Sequence, residues 1–111
     1  MIEIKKADDL FKSEHSIKND AFVCSDKDEI LGILEYEMKD KDLILKNIDC
    51  NDNMLADGLV RQTMSFALDN GCEFCKYNEK IENRLFELRI IKKNDQKSID
   101  ILEFFMKINH F

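Results

Sequence analysis

The strongest period in the chain covers residues 51–71 (NDNMLADGLVRQTMSFALDNG). Leu59, Val60, Thr63, Met64, Ala67 and Leu68 recur there at helical spacing, while Asp57, Arg61, Ser65 and Asp69 follow four residues apart as a polar stripe. The pattern predicts one amphipathic helix with a core face and a wet face. Its ends are marked as well. Asn51, Asp52 and Asn53 offer side-chain oxygens to the unpaired N–H groups of a first turn, and Gly71 stands where a left-handed C-terminal cap belongs. A helix that opens directly after a strand also presents N–H groups and the positive end of its dipole to an anion.

Alternating apolar and polar positions mark the strands. Residues 1–6 set Ile2 and Ile4 among charges. Residues 21–25 (AFVCS), 29–39 (EILGILEYEMK) and 43–49 (LILKNID) read as three more strands. Asp26-Lys27-Asp28 and Asp40-Lys41-Asp42 separate them with turn residues whose charges also discourage edge pairing, which predicts an antiparallel meander. Between the first two strands, Asp8 or Asp9 caps a short helix reaching about His15, with Leu10 and Phe11 as its apolar contacts. Residues 72–77 (CEFCKY) read as a strand that a right-handed crossover lays parallel to the strand before the central helix, so the sheet is mixed. Ile81, Leu85 and Leu88 give residues 79–89 a helical period, and residues 97–99 form a brief strand. Asp100 to Glu103 has the form of an acidic capping box, ahead of a last helix carrying Ile101, Phe104, Phe105 and Ile108.

At 111 residues the whole chain, 1–111, is expected to be a single α+β domain able to bury a core without metals or disulfides. It has no apolar run of membrane-spanning length and no charged-then-apolar leader, which points to a soluble, cytoplasmic protein whose four cysteines are thiols. Charge is uneven: residues 21–75 carry five Lys or Arg against twelve Asp or Glu. That acidic middle argues against nucleic acid as a partner and suits a cationic one such as an amine, although acidic turns also serve solubility alone. Cys72 and Cys75 fall on opposite faces if both lie on a strand, and no second pair stands at ligand spacing, so no metal site is expected. Cys50 precedes the anion-ready helix start, whose dipole would make it reactive by lowering its pKa, but an inert thiol is the expected outcome. His15 and His110 have no triad-like context and read as surface residues.

The element order, together with DEILGILEYE, the helix ending ALDNG, NRLFELRIIKKN and LEFFMKINHF, resembles the Gcn5-related N-acetyltransferase family. Gly32 takes that family's "ivG" position on the third strand, and NRLFELRIIKKN takes the place of its "lYeklGF". The resemblance covers nearly the whole chain. It implies the acyl-CoA N-acyltransferase fold, a mixed, mostly antiparallel sheet flanked by helices, with acetyl-CoA as co-substrate at the splayed end of the sheet and its pyrophosphate on the central helix. The family's pyrophosphate loop, counted back from Gly71, falls on Asn51, Met54 and Ala56, with Met54 where the first Gly belongs. The implied cofactor contacts are Ile48, Asn51, Met54, Leu55, Ala56, Asp57 and Gly58, with Arg61, Lys80 and Arg84 as cations for the phosphates. Arg61 also stands four residues after Asp57, the favourable order for an ion pair.

Acetyl transfer to an amine needs a positioned thioester, a deprotonated nitrogen and a way to move protons. Within the resemblance, Asp49 at the end of the strand feeding the central helix is the base acting through water. Glu35 and Glu37, sharing one face of the neighbouring strand, are its alternates. Tyr36 and Tyr77 are the acids to consider, because the family's helical Tyr is Phe86 here and has no proton to give. The acceptor is a small amine or a protein amine. Its pocket is left open by the short connection between the first two strands, or is completed by a partner such as a second copy in a homodimer. Two other readings stand beside the enzyme: a non-catalytic CoA-sensing or protein-interaction module of the same fold, favoured by Met54 and Phe86, and an α/β interaction domain unconnected with CoA.

Overall fold

The computed structural model describes residues 1–92 and 97–108; Lys93, Asn94 and His110, which entered the sequence reading, lie outside them. The meander forms as predicted. Strands β1 (Ile2–Lys6), β2 (Asp20–Asp26), β3 (Glu29–Lys39) and β4 (Asp42–Cys50) pair antiparallel in sequence order. Helix α2 (Asn53–Asp69) then carries the chain to β5 (Phe74–Tyr77), which lies parallel to β4. A short β6 (Ile99–Asp100) completes a six-stranded sheet in the order β1-β2-β3-β4-β5-β6. Helix α1 (Asp9–Glu14) follows β1, a 3-10 turn (Glu79–Ile81) leads into α3 (Glu82–Glu87), and α4 (Ile101–Ile108) follows β6. Among the described residues no helix is long and apolar enough to cross a membrane.

The two ends of α2 are fixed by its own sequence. Of the three capping residues, Asp52 is the one used: its carboxylate accepts from the Leu55 N–H at 3.0 Å and its carbonyl from the Ala56 N–H at 2.9 Å. At the other end the Cys72 N–H reaches the Ala67 carbonyl and the Gly71 N–H the Leu68 carbonyl, a Schellman motif that requires the positive φ of Gly71 (92°). The predicted core face holds. Ala56, Leu59, Val60, Thr63, Met64 and Ala67 are buried, and the Thr63 hydroxyl donates to the Leu59 carbonyl at 2.7 Å. Phe66 adds what the stripe omitted, meeting Phe22 edge-on at 5.4 Å while Phe22 stacks on Tyr36 at 5.6 Å.

The helix after β5 is shorter than its period implies. Asn78 caps a single 3-10 turn by accepting from the Lys80 N–H, and α3 ends where Arg89 takes a positive φ of 61°. Asp100 caps α4 through the Glu103 N–H, as the capping box predicts. Cys72 precedes β5 instead of lying on it, so strand alternation does not separate it from Cys75, and both are buried in the same core. Among the described residues no cluster suited to a metal is present.

All four cysteines are free and buried, and burial raises the pKa of each. Cys75 is pushed up from 9.0 to about 12 by burial and then by neighbouring Cys72, and Tyr36 from 10.0 to about 12 by burial and then by Asp20. These groups lose protons in the unfolded chain before the folded one, so their neutral forms stabilise the fold fully below the unfolded pKa. Stability is expected to hold to about pH 9 and to fall as pH rises from there towards 12. Thermal melts across that range should show the decline, and Cys75→Ala should flatten it; an unchanged slope in the variant would remove Cys75 as its source.

Candidate functional site

A bulge in β4 opens the sheet. Tyr36 opposes Leu45 and Glu35 opposes Asn47, so Lys46 is an extra residue with no partner on β3. An extra residue bends and twists its strand. Pairing with β5 ends at the same place: Leu45 opposite Tyr77 is the last parallel pair, and the Asn78 N–H closes on the Leu45 carbonyl at 2.9 Å. Beyond it β4 continues to Cys50, held by β3 on one side only. Backbone alternation puts the N–H and C=O of Ile48 on the same edge as the Cys50 carbonyl, facing this opening.

The opening is bounded by α3 and by the start of α2. Arg84 of α3 donates through Nη2 to the Cys50 carbonyl at 2.6 Å, bringing a guanidinium beside the first turn of α2. Its Nε is buried and makes no hydrogen bond. The Cys50 thiol donates to the Asp52 carbonyl at 3.5 Å; burial raises its pKa against the lowering effects of the Asp52 backbone and of Arg84, which favours the neutral thiol. The first turn of α2 keeps the N–H groups of Asn53 and Met54 for an outside acceptor, because Leu55 and Ala56 are engaged by Asp52. Met54 is 84% exposed and points away from the core.

The predicted cofactor residues divide by this geometry. Ile48 lies on the part of β4 beyond its pairing with β5, Asn51 follows the end of β4, Met54 and Leu55 are in the first turn of α2, and Arg84 reaches the Cys50 carbonyl. Ala56 is fully buried with its N–H already bonded, so a bulky residue there would break the core before it touched a ligand. Asp57 and Arg61 pair with each other at 2.7 Å, and the Arg61 guanidinium lies 5.0 Å from the Phe104 ring centre. A Cβ on Gly58 would meet only Ile4, at 3.3 Å. Lys80 is exposed on the 3-10 turn.

The Asp52 carboxylate is what the sequence reading left out of the site. It stabilises the helix and also places a negative charge where a phosphate would sit. Asn caps as well as Asp without the charge. Asp52→Asn is therefore expected to leave thermal stability within about 1 kcal/mol and to tighten CoA binding about two- to fivefold, most at low salt. Weaker binding in the variant would show that phosphates do not approach this turn.

The predicted catalytic carboxylates lie on the sheet face turned away from α2. Gly32, Leu34, Ile48 and Cys50 face the helix, so Ile33, Glu35, Asn47 and Asp49 face the other way. Asp49 is exposed opposite Ile33, Glu35 is half-buried opposite Asn47, and Glu37 pairs with Lys46 at 3.2 Å. Helix α1 lies against the β1–β2 side of this face, where Phe11, His15, Val23 and Ile30 line a groove of about 380 Å³ with charges at its rim. Tyr77 is half-buried at the root of the opening, whereas Tyr36 is sealed in the aromatic cluster. Phe86 is 45% exposed on α3.

No protein-family model matches the chain, and no curated protein matches it by sequence. Solved structures do resemble it. A Bacillus subtilis acetyltransferase in complex with CoA is 12% identical over 81% of this chain and 74% of its own, with a TM-score of 0.57. An IAA acetyltransferase from Bacillus cereus is 11% identical over 78% of this chain and 74% of its own, at 0.56. An aminoglycoside acetyltransferase from an uncultured soil metagenomic sample, in complex with sisomicin, is 15% identical over 88% of this chain and 91% of its own, at 0.60. With its mixed six-stranded sheet, bulged β4 and parallel β4–β5 pair, the chain has the acyl-CoA N-acyltransferase fold of the Gcn5-related N-acetyltransferases.

Proposed function

We propose that this chain is a minimal cytoplasmic N-acetyltransferase that takes acetyl-CoA and an amine. The observation that carries the reading is the opening between β4 and α3 beyond Leu45, set at the N-terminus of α2 in a fold shared with acetyltransferases. The Asn53 and Met54 N–H groups receive phosphate oxygens, and Arg84 supplies the nearest positive charge. The edge of β4 at Ile48 hydrogen-bonds the extended part of the co-substrate as a missing strand would. Acetyl-CoA supplies the thioester, an acyl carbon open to attack with a thiolate as leaving group.

The amine approaches over the face carrying Asp49, on the acidic stretch of the chain. Asp49 takes the ammonium proton through water, the nitrogen forms its bond to the acyl carbon, and the carbon–sulfur bond breaks. Tyr77, at the root of the opening, gives its proton to the leaving sulfur and is reprotonated by the second proton that the acylated nitrogen sheds. Phe86 cannot do so. The test is acetyl transfer from acetyl-CoA to a panel of polyamines, aminoglycosides and peptide N-termini, read as free CoA thiol. Turnover on any of them supports the enzyme, and binding without turnover supports the second reading.

That second reading, a CoA-binding module without chemistry, is favoured by the Asp52 carboxylate at the helix start and by Phe86. A second copy completing the acceptor side would appear as a dimer on sedimentation.

A further inference from the structure

Strand β1 forms the edge of the sheet away from the opening beside α2, and among the described residues it pairs only with β2. In an antiparallel ladder, successive residues turn their N–H and C=O groups to one neighbour and then to the other. The Ala7 N–H donates to the Ala21 carbonyl at 2.8 Å, and the same alternation gives β2 the backbone groups of Lys5, opposite Val23, and of Glu3, opposite Ser25. The N–H and C=O groups of Ile2, Ile4 and Lys6 therefore point outward along a free edge. Such an edge is a template for another strand. The side chains of these residues lie on the α2 side of the sheet: Ile2 is 51% exposed, Ile4 Cδ1 lies beside Gly58, and the Lys6 ammonium sits 5.0 Å from the Phe66 ring centre. Glu3 and Lys5 share the opposite face and pair with each other at 2.9 Å.

The strand reads IEIKK, and it is complementary to itself. We propose that β1 is the contact for a second copy of this chain, joined antiparallel about a two-fold axis through Ile4. In that register Ile4 exchanges both hydrogen bonds with its counterpart and Ile2 does so with Lys6, so every outward backbone group is used. The charges select the same register. Glu3 stands opposite Lys5 of the second copy and Lys5 opposite its Glu3, which together with the pair inside each strand makes a square of alternating sign. The neighbouring registers, centred on Glu3 or on Lys5, also match outward groups but set Glu3 against Glu3 or Lys5 against Lys5. On the α2 side the two Ile4 side chains meet, and Ile2 lies on the aliphatic stem of Lys6. Edge charges commonly keep other strands away. Here they admit one partner in one register. A single strand pair is a small interface, so the association is weak, in the micromolar to millimolar range. It is separate from any copy that completes the acceptor side and does not depend on acetyl transfer.

The test is sedimentation equilibrium of the purified chain over a concentration series reaching millimolar, with amide hydrogen exchange read by NMR. A monomer–dimer equilibrium is expected. The amides of Ile2, Ile4 and Lys6 should gain protection as concentration rises, whereas those of Glu3 and Lys5 are already bonded to β2 in the monomer. Glu3→Lys and Lys5→Glu should each weaken self-association about tenfold, because like charges then face each other on both sides of the axis. Both side chains are exposed, so the fold is kept. Mixing the two single variants should restore association as a heterodimer, and combining both changes in one chain should restore the homodimer. A monomer at every concentration, a dimer indifferent to charge reversal, or no recovery in the mixture would overturn the proposal. The first would leave Glu3 and Lys5 as guards of a free edge, and the others would place the contact on a different surface.

Discussion

Gly32→Ala is expected to destabilise the protein by about 1–3 kcal/mol, the usual cost of forcing an extra methyl into a packed core. A Cβ at this position would lie 2.7 Å from Cys50 Sγ, 2.8 Å from Cys50 Cβ and 3.1 Å from Leu59 Cδ1. The Cys50 Cβ is anchored to the backbone of β4, so a rotamer change does not relieve the clash. Either the end of β4 or the first turns of α2 must move. That coupling matters because Cys50 is the residue whose carbonyl holds Arg84 and which leads into the Asp52 cap. Gly58→Ala is the internal control. Its Cβ would press at 3.3 Å on Ile4 Cδ1, the end of a side chain on the edge strand β1; with that methyl shifting by a few tenths of an ångström, the removal of a helix-interior glycine, typically worth about 0.5–1 kcal/mol, offsets the contact and little net destabilisation is expected. Urea unfolding of both variants decides the matter: a Gly32→Ala protein as stable as the parent would mean that the close approach of β3, β4 and α2 is looser than described.

Asp49→Asn is expected to lower turnover by about 100-fold or more while leaving CoA affinity and folding stability unchanged, the behaviour of a lost general base. Asp49 is exposed and makes no ion pair among the described residues, so its removal has little structural cost. Glu35→Gln and Glu37→Gln are the comparison. Both share the face of Asp49, but Glu37 is engaged by Lys46 and both lie further from the start of α2. Turnover unchanged in Asp49→Asn and reduced in Glu35→Gln would transfer the role to Glu35.

The meander, the central helix and the parallel β5 were legible because each rests on local signals: alternation, charged turns, an apolar stripe and a glycine cap. What decides the site is not local. LILKNID alternates without interruption, and the extra residue at Lys46 exists only relative to β3. The Arg84 contact joins residues 34 apart in sequence. Three adjacent residues were competent to cap α2, and the choice of Asp52 over Asn51 or Asn53 followed from where β4 ends at Cys50. Gly32 was legible through resemblance, but the reason for it, two neighbouring side chains filling the place of a Cβ, appeared only in three dimensions. The Asp57–Arg61 pair, by contrast, followed directly from i, i+4 spacing.

CoA is expected to occupy the opening beside α2. Calorimetric titration of the purified protein with acetyl-CoA and with CoA tests it most directly. Saturable heat is predicted with both ligands, reduced when Arg84 is replaced by Met and increased in affinity by Asp52→Asn. No heat and no thermal shift at millimolar ligand would contradict it, and would remove the enzyme and the CoA-binding module together.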